Sequence, residues 1–232
     1  MQNILITGAN RGIGYGLTKQ YLESGDLVFA TCRNPAKAET LQALKMVYPE
    51  QLIVVPLDVG CDQSVAEALT AVSTHTTHLD ILINNAGINF AQTFNQFVAA
   101  DMLQTFNVNT VGTMRVTTTF VDLLRRGEQP KLINMTSQLG SLTKRLEGWG
   151  HYGYNSSKAA INMLTRYLAF DLAEAGITTI SMHPGWVKTD MGGEGAQTAV
   201  STSVAGIINV VRQLTHEDSG KFFTYLGEEH PW

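Results

Sequence analysis

The chain has 232 residues, 44% of them hydrophobic and only 16% charged, with a net charge of −4. A charged fraction well below the about 25% of average domains excludes a disordered chain and disfavours a solvated bundle or coiled coil. The missing Lys/Arg excess argues against a nucleic-acid binder.

No apolar stretch approaches the roughly 18 residues of a membrane span. Met1–Thr7 already reads as a strand, so neither a signal peptide nor a membrane partner is expected. Two cysteines, Cys32 and Cys61, make no disulfide framework, and a reduced, cytoplasmic setting follows. Length and the absence of a linker predict one domain over 1–232.

In chain order, a strand over 3–7 is followed by a helix over 12–24. The same alternation recurs at 27–33 and 36–48, 51–57 and 62–74, 79–84 and 97–126, 131–136 and 152–175, and 177–183 and 196–214. A weaker strand, 222–226, closes the pattern. The first six strands are near-continuous apolar runs, as expected when both faces of a parallel sheet are covered. Strand–helix alternation predicts a doubly wound α/β sheet with right-handed crossovers. Gly25 and Gly176 are placed to end helices, and Asp62 or Ser64 to cap one. The stretch 185–206, rich in Gly, Thr and Ser, is expected to be the most mobile.

The first strand runs into Thr7-Gly8-Ala9-Asn10-Arg11-Gly12-Ile13-Gly14 and then a helix, the context of a dinucleotide-binding turn. Gly8 allows the turn, Gly12 lets backbone approach a pyrophosphate, and Gly14 lets helix pack on sheet. Free N–H groups at the helix start favour phosphate. The second strand ends in Cys32-Arg33 without the carboxylate that would accept a ribose hydroxyl. Arg33 and Arg11 therefore favour NADP(H) over NAD(H), with Arg33 stacking on adenine as the other reading. Asp58 is placed either to accept from the adenine amino group or to cap the following helix.

Tyr154-Asn155-Ser156-Ser157-Lys158 puts a phenol and an ammonium on one helix face. A nearby cation favours phenolate, so the pair suits proton exchange with a substrate oxygen. A second match, Tyr15–Lys19, lies in the first helix and is assigned to the nucleotide turn and helix surface. Ser137 ends the fifth strand, at the carboxyl edge where open α/β sheets bind ligands.

Together these pieces resemble the short-chain dehydrogenase/reductase family: Thr7-Gly8-x3-Gly12-x-Gly14, Asp58-Val59, Asn84-Asn85-Ala86-Gly87, Asn109-x2-Gly112, Ser137, Tyr154-x3-Lys158 and Pro184-Gly185-x-Val187-x-Thr189, in that order. His183-Pro184-Gly185-Trp186-Val187, Asp190-Met191-Gly192-Gly193 and Pro231-Trp232 look like its C-factor and sniffer-type carbonyl reductase branch.

The resemblance implies a Rossmann-type sheet of about seven strands in the order 3-2-1-4-5-6-7. It implies Tyr154 as general acid, Lys158 on the nicotinamide ribose, Ser137 on the substrate oxygen and Asn109 on a proton-relaying water. It also implies cofactor contacts from Gly8, Asn10, Arg11, Gly12, Ile13, Gly14, Arg33, Asp58, Val59, Asn85, Ala86, Gly87, Pro184, Gly185, Val187 and Thr189. No metal is implied.

The interval from Ser137 to Tyr154 is longer than the family pattern and carries Leu139, Leu142, Trp149 and His151. It is expected to overhang the site and shape substrate choice, or else to be a surface excursion. With the 185–206 stretch it would form the substrate pocket. His75 and His78 lack further ligands and read as a polar helix end. His183 reads as a packed strand-end residue, and Trp186 as either substrate wall or packing.

The expected activity is NADPH-dependent reduction of an aldehyde, ketone or quinone. A nucleotide-binding signalling protein of the C-factor type is the alternative. The helical stretches 97–126 and 152–175 are candidates for a homodimer or homotetramer contact.

Overall fold

The computed structural model describes residues 1–143 and 151–232. Seven strands, β1 (Asn3–Ile6), β2 (Leu27–Cys32), β3 (Leu52–Pro56), β4 (Ile81–Asn84), β5 (Lys131–Met135), β6 (Thr178–His183) and β7 (Phe222–Thr224), form one sheet. Their order is β3-β2-β1-β4-β5-β6-β7, and every neighbouring pair is parallel. The α-helices are α1 (Gly12–Glu23), α2 (Glu39–Val47), α3 (Asp62–Ser73), α4 (Ala99–Phe106), α5 (Gly112–Leu124), α6 (Tyr152–Asp171) and α7 (Val200–Gln213).

The continuous apolar runs have the expected cause. Ile4, Ile6, Val28 and Ile83 point into a core shared with Leu17 and Tyr21 of α1, Leu41 of α2 and Ile207 of α7. Leu5, Phe29, Leu82 and Leu132 point the other way, onto Val65 of α3, Phe120 of α5 and Leu168 of α6. With both faces covered, alternation vanishes from the sequence. After β3 the chain returns to the far side of β1 to lay down β4, so a crevice opens at the β1/β4 carboxyl ends.

Several boundaries differ from expectation. The 97–126 helix starts at Ala99 and is interrupted by a π-helical turn, Asn107–Val111. Gly176 has φ +70° but follows a further turn; α6 already stops at Asp171. Neither Asp62 nor Ser64 caps α3. Cys61 holds that position, Asp62 pairs with Arg115, and the Ser64 hydroxyl accepts from the Asp58 N–H at 2.9 Å.

A polar ladder crosses the buried sheet. The Asn84 amide donates to Thr117 Oγ1 (2.9 Å) and Asn134 Oδ1 (3.0 Å). Asn134 donates to Thr165 Oγ1 and Ser181 donates to the same oxygen, each at 3.0 Å. Asn84, Asn134 and Ser181 are in register on β4, β5 and β6, so the ladder ties α5 and α6 to one level of the sheet. Bonded polar groups at this depth specify position because each lost partner costs about 1–3 kcal/mol.

No helix among the described residues is long and apolar enough to cross a membrane. Leu103, Val111, Met163, Tyr167 and Phe170 stand exposed on α4, the π turn and α6.

Candidate active site

Strand β1 delivers Thr7 to the crevice, where its side chain works as a clamp. Thr7 Oγ1 accepts from the N–H groups of Asn85 (2.9 Å) and Ala86 (3.0 Å), and the Asn85 amide donates to Thr7 O at 2.8 Å. The glycine turn is thereby locked to the segment after β4. Gly8, at φ +66°, packs so tightly there that a Cβ would sit 2.9 Å from Ala86 Cα. A Cβ on Gly14 would lie 2.3 Å from Gly8 O. Helix α1 starts with no side-chain cap, leaving its first N–H groups for a ligand.

A cavity of about 1400 Å³ runs along this crevice. One end is lined by Arg33, Asn34, Lys37, Asp58 and Val59. The middle is lined by Gly8, Asn10, Arg11, Gly12, Ile13 and Gly14 facing Asn85, Ala86 and Gly87. The far end reaches Thr136, Tyr154, Lys158, Pro184, Thr189 and Met191. An elongated cleft with bare glycine backbone at its centre and cations at one end fits a phosphorylated dinucleotide. Asn109, Ser137, Gly185 and Val187 are not among its lining residues. Gly185 (φ +89°) instead packs on Tyr225, and Val187 is buried.

Two of the predicted cofactor residues have prior engagements. Arg11 pairs with Asp190 at 2.5 Å, bridging the glycine turn to the segment after β6. Asp58 Oδ1 accepts from the Gly60 N–H at 2.9 Å while still facing the cavity. Arg33 is exposed and makes no ion pair among the described residues. Lys37, inside the stretch expected to be helical over 36–48, sits on the 3-10 turn Pro35–Lys37 and joins Arg33 at the cavity end.

At the other end, α6 carries Tyr154 and Lys158 one turn apart. Lys158 is buried, its Nζ donating to Met135 O at 2.8 Å and lying 5.5 Å from the Tyr154 ring centroid. Burial brings the Lys158 pKa down to about 8. Burial likewise pushes the Tyr154 phenol up to about 12, against the opposing effect of its hydrogen bond with Ser137. The expectation of a Lys-lowered tyrosine is thus reversed in this state, because desolvation outweighs the opposing hydrogen bond with Ser137. Ser137 Oγ also accepts from the Leu139 N–H at 3.2 Å.

Asn109 lies in the π-helical turn and is fully buried. Its Oδ1 accepts from Ile88 N (2.8 Å), and its Nδ2 donates to Ile88 O and to Ser157 Oγ, each at 3.0 Å. The side chain therefore fixes the segment after β4 to α6. π-Helical turns of this kind are common at functional sites.

The 185–206 stretch is more tied than expected. Lys188 N donates to Thr198 O (2.9 Å), Trp186 Nε1 to Gly192 O (2.8 Å), and Gly192 N to Thr189 Oγ1 (3.1 Å). Trp186 packs against Gly195, where a Cβ would meet its ring at 3.1 Å. His78 bonds Asn3, and His75 packs beside Phe29. Trp149 lies outside the described residues.

The fold and site define a nucleotide-dependent oxidoreductase scaffold, and comparison with known proteins gives it a family. The model for short chain dehydrogenases matches residues 2–200, and the chain belongs to that family of oxidoreductases. It resembles a carbonyl reductase from chicken fatty liver whose structure is NADPH-bound: 35% identity, TM-score 0.96, covering 100% of this chain and 99% of that one. The carbonyl reductase Sniffer of D. melanogaster matches at 32% identity and TM-score 0.95 over 100% of both chains. The C-signal of Myxococcus xanthus is 42% identical over 163 residues, 70% of this chain and 98% of its own length. These relatives place the chain in the C-factor and sniffer-type branch.

Proposed function

We propose that the protein reduces a carbonyl compound to an alcohol with NADPH as hydride donor. The observation that carries this reading is that Tyr154, hydrogen-bonded to Ser137, and buried Lys158 line one end of a cleft whose other end presents Arg33 and Lys37. The NADPH-bound relative, similar over the whole chain, supports the same choice of nucleotide.

In this reading the glycine turn (Gly8, Asn10, Arg11, Gly12, Ile13, Gly14) receives the pyrophosphate, and Arg33 the 2′-phosphate. Asp58 and Val59 flank adenine, and Asn85, Ala86 and Gly87 the riboses. Pro184, Gly185, Val187 and Thr189 hold the nicotinamide side, with Gly185 and Val187 acting through the fold of that segment. When bound, the nucleotide supplies a hydride to the carbonyl carbon.

Tyr154 is then the proton donor to the carbonyl oxygen. A phenol held near pKa 12 is fully protonated at neutral pH, the form this direction requires. Ser137 shares a hydrogen bond with that phenol and donates to the oxygen as negative charge grows on it. Lys158 holds ribose hydroxyls and, still largely cationic below pH 8, favours the phenolate left after proton transfer. Asn109, bonded to Ile88 and Ser157, fixes the segment after β4 to α6 beside Lys158, where a water would relay the replacement proton. The loops 138–151 and 185–206 shape the substrate pocket of this single domain, and the exposed apolar residues of α4 and α6 mark the homodimer or homotetramer contact.

The test is NADPH oxidation across a panel of aldehydes, ketones and quinones, with Tyr154→Phe beside the wild type. The variant should lose about 100- to 10,000-fold in rate while still binding NADPH. Equal rates would overturn the mechanism. Tight nucleotide binding with no turnover of any carbonyl would favour the signalling reading that the C-signal likeness suggests.

A further inference from the structure

The last residues of the chain fold back toward the site. After β7 the chain turns at Gly227 (φ +85°) and runs back beside that strand, with Thr224 N donating to Glu228 O (2.9 Å) and His230 N to Phe222 O (2.6 Å). His230 is buried, its ring 4.6 Å from Phe222 and 6.1 Å from His183 at the end of β6. The Trp232 ring stacks on Phe222 at 5.4 Å and lies 5.7 Å under the Arg166 guanidinium of α6.

The main-chain oxygens of this seated segment accept from the residues that follow Ser137. Ser141 Oγ donates to Pro231 O at 2.9 Å. Thr143 donates to Trp232 O twice, from its N–H at 2.9 Å and its hydroxyl at 2.6 Å. Between Ser137 and these bonds lies Gly140, pressed on α6 so closely that a Cβ would sit 2.6 Å from the Lys158 carbonyl carbon. Gly140 O accepts from Asn162 of α6 at 3.3 Å. Each of these bonds fixes the turn 138–140, whose first N–H groups close back on Ser137.

We infer that Pro231 and Trp232 are positioning residues: their ring packing and main-chain oxygens hold the 138–143 segment on α6, and so hold the Ser137 hydroxyl against Tyr154 for the carbonyl. The inference rests on the reading of Ser137 and Tyr154 given above. A hydroxyl displaced by a fraction of an ångström keeps its chemistry and loses its alignment, and misplacement of about 1 Å costs roughly a hundredfold in rate. Among the described residues the hydrogen bonds of this segment run to the chain's end and to α6, not to the adenosine end of the cleft, so NADPH affinity should change little.

The experiment compares wild type, Trp232→Ala, Trp232→Phe and Thr143→Val. Steady-state kinetics on carbonyl substrates, NADPH affinity by fluorescence and amide exchange over 138–143 are read together. Trp232→Ala should lower kcat/KM about tenfold or more. It should also speed exchange at 139–141 and leave NADPH affinity within about twofold. Trp232→Phe should restore most of the rate because a ring still packs on Phe222. Thr143→Val keeps the whole core and should reproduce a smaller part of the loss.

Unchanged kcat/KM in both Trp232→Ala and Thr143→Val would overturn the inference. So would a loss of rate matched by an equal loss of NADPH affinity, which marks general destabilisation. A wild type that turns over no carbonyl would overturn the parent reading and this inference together. A wild type that is active while the variants keep full rate removes the inference alone.

Discussion

The two ends of the cleft are built on opposite principles. The glycine turn works by shape. It has bare backbone, forbidden Cβ positions and clamped main-chain groups, and its one charged side chain, Arg11, points to Asp190. The Tyr154 end works by desolvated chemistry, with two titratable groups driven in opposite pKa directions by the same burial. Shape tolerates no added atom and is indifferent to pH. Desolvated chemistry keeps its fold under isosteric change but loses its function, and it responds to pH strongly.

The largest effect tests the chemical end. Lys158→Met should abolish most turnover yet stabilise the nucleotide-free protein at pH 7. Burial puts the folded pKa of Lys158 near 8, below its ordinary 10.5. The unfolded chain therefore binds more protons between those values, and stability rises with pH across that window. Below pH 8 the penalty is present in full, on the order of 3 kcal/mol. Thermal melts should show the variant ahead at pH 7 and level with wild type near pH 10.5. An unchanged gap across that range would mean that the lysine is not desolvated as described. Turnover of the wild type should also fall as pH rises through about 8 and Lys158 loses its proton.

The shape end should fail differently. Gly14→Ala forces a methyl to 2.3 Å from Gly8 O, with backbone on both sides of the contact. Strain of this kind costs roughly 1–3 kcal/mol, and it should appear as lost NADPH affinity and a lower Tm with no change in pH profile. Gly25→Ala, where φ is +87° but no atom lies within 4 Å of the new methyl, is the control for backbone strain away from the site. It should lose some stability and none of the affinity.

The same division explains what was legible in the sequence. Shape is written in glycines and apolar runs, so the glycine turn and five of the seven helices were readable within a few residues, while the strand order came from the family resemblance. The other two, α4 and α5, read as one helix because a π-helical turn preserves the apolar stripe while changing the backbone pairing at Asn107–Val111. Residues that act through side-chain partners far along the chain left little trace. Thr7 and Asn84 stood inside the family's motifs and Asn134 inside an apolar run, with no sign of their partners. Their partners lie 78, 33 or 31 residues away, and no local pattern announces them. The pKa order of Tyr154 and Lys158 was also illegible, since spacing shows proximity and not desolvation.

A smaller effect separates the cations at the adenosine end. Arg33→Ala should cut the preference for NADPH over NADH by about tenfold or more, the worth of one charge-assisted bond to phosphate. Lys37→Ala should act in the same direction. Selectivity is read as the ratio of kcat/KM values for the two nucleotides. If neither substitution moves it, the cavity end described by Arg33, Asn34 and Lys37 does not receive the phosphate.

The smallest effect concerns Arg11, the second candidate for the phosphate beside Arg33. Its guanidinium is held by Asp190, and both side chains are largely exposed, at 64% and 76%. An exposed pair of this kind contributes only about 0–1 kcal/mol, so stability should barely respond to Arg11→Ala. Recruiting Arg11 to a phosphate would require breaking that pair, which offsets much of the gain. Arg11→Ala should therefore change nucleotide selectivity by no more than about twofold to threefold. Asp190→Asn frees the same cation and should raise NADPH affinity slightly, more at low salt than at high salt. A selectivity loss in Arg11→Ala equal to that of Arg33→Ala would show that Arg11 leaves Asp190 when nucleotide binds. The shape end would then contain a charge switch after all.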